Sequence, residues 1–105
     1  MDIFRDLIAK NPQIPAGKGT LGFILIEKEV NINEGMELIE QALKLSPDDV
    51  DFLYTRGLGY YKQGKVEKAH EILSDAWEKR GLYNHDHYLL LQEVEQALGR
   101  QERDE

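Results

Sequence analysis

Slid against itself by 34 residues, the sequence superposes Ile32 on Val66, Gly35 on Ala69, Glu37 on Glu71, Leu38 on Ile72, Ile39 on Leu73 and Ala42 on Ala76, with Tyr54 falling on Tyr88. A chain with such a period folds as stacked copies of one short unit, because no single copy can bury its apolar face alone. The clearest copy runs over residues 50–79. Phe52, Leu53, Gly57, Tyr60 and Tyr61 follow one helical pattern, Val66, Ala69, Ile72, Leu73, Ala76 and Trp77 follow another, and the two meet at Gly64 and Lys65. Gly57, Ala69 and Ala76 stand where two helices side by side bring their backbones closest, so the unit is a helix hairpin.

The flanking segments read as altered copies. Residues 2–10 place Ile3, Phe4, Leu7 and Ile8 on one helical face, and Asn11-Pro12 ends that helix. A second helix is expected from about Lys18 to Glu29, with Gly17 and Gly19 delaying its first turn. Asn31 and Glu34 form a capping-box pattern for a third helix reaching Leu45, and Asp48 or Asp49 offers the next cap. Gly81 sits where a helix end favours a left-handed residue. Asn84 or Asp86 caps a sixth helix with the stripe Leu90, Leu91, Val94, Ala97 and Leu98, after which Gly99 and the polar tail are expected in solvent. Strict alternation is absent, so no strand is expected.

Bulk properties narrow the classes. The chain has 105 residues, room for one domain. No apolar run approaches the ~20 residues that span a bilayer, and no basic-then-apolar leader opens the chain. Without cysteine there are no disulfides or thiolate metal sites, and cytoplasm and periplasm suit it equally. A net charge of -7, with scattered Lys and Arg, argues against nucleic acid.

The period, with Tyr60, Tyr61, Lys62, Gln63 and Gly64 followed by Ala69, resembles the bacterial-type tetratricopeptide repeat (TPR). By this resemblance Leu53 takes the family's first aromatic position, Gly57 its glycine, Tyr60 its tyrosine, Ala69 its central alanine, Leu73 its second aromatic and Ala76 its last alanine. Leu21, Gly22, Leu25, Gly35, Ile39, Ala42 and Pro47 match in the preceding copy if the turn around Val30 and Asn31 holds one extra residue. The departures are Arg56, where the family buries leucine, and Gly81, where it has proline. The resemblance implies an all-α, right-handed superhelix of antiparallel helix hairpins in about six helices. Its parts would be a half repeat over 1–14, repeats over 15–49 and 50–83, a capping helix over 84–98 and a polar tail over 99–105.

Catalysis and cofactors find no support. Gly17, Gly19 and Gly22 satisfy G-x-G-x-x-G, but prolines precede them where a nucleotide site needs a strand, and the phosphate-loop order is missing. His85 and His87 lie two apart, whereas paired helical ligands prefer three or four, so a polar helix start is expected rather than a metal site. Ser46 and Ser74 lack any cue for a base or oxyanion hole. No cofactor is implied, and no catalytic residue is assigned.

The resemblance instead implies a protein-interaction scaffold that receives a peptide or partner helix in a concave aromatic groove. The matching groove positions are Phe23 and Ile26, then Asp51, Tyr54, Leu58 and Tyr61, then His85, Tyr88 and Gln92. Gly19, Phe23, Thr55, His85 and Leu89 stand at positions where chaperone-binding members clamp a terminal carboxylate, which argues against such tails as partners. A second reading is a terminal segment of a larger repeat protein, stacking on an adjacent repeat or self-associating through Ile3, Phe4, Leu7 and Ile8.

Overall fold

The computed structural model describes residues 2–103, without the side chains of residues 2, 4 and 101–103, so the expectation placed on Phe4 lies outside the described residues. Six helices follow one another: α1 (Asp2–Lys10), α2 (Pro15–Glu27), α3 (Ile32–Leu45), α4 (Val50–Lys62), α5 (Val66–Lys79) and α6 (His85–Arg103). The described residues contain no strand. Helices α2 and α3 form one hairpin, α4 and α5 the next, and α6 packs on α5, the layout of an all-α TPR-like solenoid.

Local chemistry sets the helix starts. Asp49 Oδ1 accepts from the Asp51 and Phe52 amides at 3.0 and 3.2 Å, and Asn84 Oδ1 accepts from the His87 amide at 2.9 Å. Asn31 Oδ1 accepts from the Glu34 amide at 3.1 Å, but only half of the capping box forms. The Glu34 carboxylate turns instead to Arg5 Nη1 at 2.6 Å, tying α1 to α3, and that bond holds its pKa below the usual carboxylate range. The tether is complete above the ordinary carboxylate pKa and is lost as pH falls through the lowered one.

Three expectations give way. Helix α2 begins at Pro15 rather than near Lys18, because proline is already fixed for a first helical turn and gives up no bonded N–H there. Gly81 has no positive φ. Arg80 ends α5 in an extended conformation (φ -65, ψ 142), with Nη1 donating to the Trp77 carbonyl at 2.6 Å and the guanidinium 3.5 Å above the Trp77 ring. Helix α6 does not stop at Gly99 but runs to Arg103, since the residues that follow favour helix and no terminator intervenes.

The turns inside the hairpins locate the irregularity in the repeat. Lys28, Glu29 and Val30 amides donate to Ile24, Ile26 and Leu25 carbonyls, and 35 residues later Gln63, Gly64 and Lys65 amides donate to Gly59, Tyr61 and Tyr60. The bond from Gly35 to Asn31 recurs 34 residues later as Ala69 to Lys65, so Val30 and Asn31 both correspond to Lys65 and one of the two is the extra residue. Both turns need a left-handed residue: Gly64 supplies φ +81, whereas Glu29 is forced to φ 54. Glu29→Gly should therefore raise stability by about 0.5–1 kcal/mol, read as a higher urea midpoint at unchanged slope. A lower midpoint would mean that the 3.9 Å contact of Glu29 with Lys62 outweighs the strain.

The core lies in three linked clusters. Ile26, Met36, Ile39 and Ala42 fill the first hairpin. Leu43, Leu53 and Ala76 join the two hairpins, and Val66, Ala69, Leu73, Leu90 and Val94 seat α6. Phe52 and Leu58 each belong to the margin of two clusters, which makes the core continuous. Arg56 keeps its place among these residues by pairing Nε with Glu40 Oε1 at 2.6 Å while its guanidinium lies 5.6 Å from the Tyr60 ring centre.

Candidate functional site

Helices α2 and α4 lie side by side and, with the first turn of α6, enclose a cleft of about 470 Å³. Phe23, Phe52 and Tyr54 supply its apolar surface, and Asp49, Asp51 and Asp86 its carboxylates. Beside it, Gly19 lets the Phe52 ring of α4 lie directly against α2: a Cβ there would lie 2.2 Å from that ring. Tyr54 is half-buried, and its hydroxyl pKa is pushed up by burial first, then by the charges of Asp86 and Glu27. Buried Thr55 donates its hydroxyl to the Asp51 carbonyl at 2.9 Å, fixing the α4 wall.

Of the groove positions expected from the sequence, Phe23, Asp51 and Tyr54 meet in this cleft. Ile26 does not: it is wholly buried against Met36, Ile39 and Ala42, with α4 over it at Gly59, and offers no surface to a partner. Leu58 and Tyr61 are half-buried against the α5/α6 cluster. Burial first, then the charge of Glu93 of α6 and its hydrogen-bonding pull, raise the Tyr61 pKa against a smaller lowering by Arg100.

His85, Tyr88 and Gln92 form a separate surface around the α5–α6 connection. Tyr88 packs at 6.0 Å from Trp77 and 6.1 Å from Tyr83 between ring centres, and stacks on His85. Gln92 Nε2 donates to the Tyr88 hydroxyl at 2.7 Å. Tyr88 and Gln92 line a groove of about 340 Å³ with Trp77 and Leu91, on the α5 side of α6. The two tyrosines one period apart thus serve different surfaces.

His87 corrects the reading of a polar helix start. It is 1% exposed, its ring lies against Tyr54 and Trp77, and Nε2 is 2.9 Å from the Leu73 carbonyl. A carbonyl only accepts, so Nε2 carries the proton and is committed to the protein. The signal was available: His87 stands 34 residues after Leu53, which is also buried. Phe52, Asn84 and Asp86 were missed as cleft residues because only the stacking of α6 beside α4 brings them together. Gly17 lies in the first turn of α2 and Gly19 and Gly22 beyond it, where backbone amides are used by the helix, so the three form no phosphate loop. No group of three metal-binding side chains occurs among the described residues, and no helix among them is long and apolar enough to cross a membrane.

Stacked helix hairpins with an aromatic cleft along their first helices define an α-helical repeat protein. The sequence is 35% identical over 71% of the chain to a TPR repeat-containing protein of Pseudomonas aeruginosa, and 34% identical over 67% to one of Methanocaldococcus jannaschii. It is also 33% identical over 74% to human tetratricopeptide repeat protein 7A. No family model matches. The chain is a tetratricopeptide-repeat segment. It spans 13%, 12% and 9% of the length of these relatives, whose sources do not single out a bacterial origin.

Proposed function

We propose that this segment is a noncatalytic protein-interaction scaffold that holds an extended peptide or a partner helix along the face formed by α2, α4 and the start of α6. The aromatic cleft of Phe23, Phe52 and Tyr54 carries the reading, because amphipathic rings beside open polar groups are what peptide recognition uses. The names of the TPR relatives support the coarser statement of a repeat scaffold. The charge of -7 makes protein rather than nucleic acid the expected partner. In this proposal residues 15–49 and 50–83 are the repeats, with partial units on either side.

The test is a peptide selected on the segment from a randomised library, with affinity measured by fluorescence anisotropy. Phe23→Ala and Tyr54→Ala should each weaken it about tenfold or more, as truncation of a buried aromatic contact does. Unchanged affinity in both variants would remove the cleft from the binding surface.

A second reading, association through α1, is favoured by Ile3 at 75% and Leu7 at 49% exposure, while Ile8 turns towards Gly17 of α2. Sedimentation of the wild type and Leu7→Glu would separate it: a monomer in both cases ends this reading.

A further inference from the structure

We infer that the α2/α4/α6 cleft selects a cationic side chain, an arginine or lysine of the partner peptide, placed over Tyr54 between Asp51 and Asp86. This deepens the peptide-scaffold reading above and rests on it. The cleft combines three aromatic rings, Phe23, Phe52 and Tyr54, with three carboxylates, Asp49, Asp51 and Asp86, and no lysine or arginine lines it. An aromatic face attracts a cation through its quadrupole, and more strongly where water is partly excluded, so rings and carboxylates favour one kind of occupant.

The carboxylates are not equally committed. Asp49 uses Oδ1 to cap α4, whereas Asp51 and Asp86 have no cationic partner among the described residues. Both stand in the first turn of a helix. The Asp86 charge is felt inside the cleft, where it adds to burial in disfavouring ionisation of Tyr54. An acidic or carboxylate-terminated peptide would meet like charge at the starts of both α4 and α6. An uncharged apolar side chain could use the rings but would leave the carboxylates without a partner. A basic side chain satisfies both, with its stem on Phe23 and Phe52 and its head at the acidic rim.

The probe is the tightest peptide from a randomised synthetic library, tested on the wild type and on Asp51→Asn, Asp86→Asn and the double variant, with helicity checked by circular dichroism. Both aspartates are exposed, so the fold should survive. The expected result is a peptide with an arginine or lysine anchor. Its affinity should fall about 3- to 5-fold in each single variant and about 10-fold or more in the double, and similarly when citrulline replaces the arginine or glutamine the lysine. Binding should also weaken as salt rises. Peptides that require Tyr54 but carry no basic anchor, or that bind the double variant equally well, would overturn this inference and leave the groove reading intact. Failure of every peptide to bind the wild type would overturn both.

Discussion

Truncating Leu73 to alanine should lower the unfolding free energy by about 2–5 kcal/mol, and adding Gly57→Ala to that variant should restore part of the loss. Leu73 is fully buried at the centre of the cluster that joins α4, α5 and α6. A Cβ at Gly57 would lie 2.6 Å from Leu73 Cγ and 2.7 Å from Cδ2, so the glycine is the space that the leucine fills. In the wild type Gly57→Ala gains about 1 kcal/mol of helix propensity but forces overpacking worth about 1–3 kcal/mol, giving a net loss. With Leu73 shortened, the new methyl enters the vacated volume. Urea unfolding of both single variants and the pair should give a coupling of about 1–2 kcal/mol. Additivity within about 0.5 kcal/mol would mean that the two residues do not share this space.

The second large effect is at the crossing of α2 and α3. A Cβ on Gly35 would meet Ile26 Cγ1 at 2.6 Å and the Gly22 carbonyl oxygen at 2.9 Å, and one on Gly22 would meet the Gly35 carbonyl oxygen at 3.0 Å. Each backbone therefore sits against the other's missing side chain, and a main-chain carbonyl cannot rotate aside as a leucine can. Gly35→Ala should cost about 1–3 kcal/mol despite its helix-propensity gain, and Gly35→Val more, by opening the hairpin. Gly99, with open space where its Cβ would point, supplies the contrast: Gly99→Ala should stabilise by about 0.5–1 kcal/mol. Thermal midpoints moving in the same direction for Gly35→Ala and Gly99→Ala would sink the close-crossing account.

What the sequence carried was the repeating backbone. The hairpins, the Asn31 and Asn84 caps, and an extra residue near Val30 follow from local pattern and period, because each is decided within one turn or one helix pair. What it could not carry was how successive units cover one another. Ile26 and Tyr61 occupy matching positions, and each is overlaid by the next first helix, Ile26 by α4 at Gly59 and Tyr61 by α6 at Glu93. A pattern of single residues shows neither overlap. Tyr88 repeats Tyr54 in sequence, but Tyr54 meets His87 on the following first helix, whereas Tyr88 lies on the last described helix and packs with Trp77, Tyr83 and His85. Gly81 and Gly99 were misjudged for a related reason: both are permissive residues, and permission obliges neither a left-handed turn after α5 nor a break in α6.

Helix α4 touches α2, α3, α5 and α6, whereas α1 touches α2 and reaches α3 through the Arg5–Glu34 pair. Stability in such an array is a sum of neighbour terms, so α4, with four neighbours, is expected to be the last of the described helices to open. The cleft is bordered by residues of α2, α4 and the α6 start; α2 packs directly on α4, whereas α4 and α6 are joined mainly through α5. An occupant there would act as a cross-brace between α2, α4 and α6, and its binding energy would add to the folding of all three together.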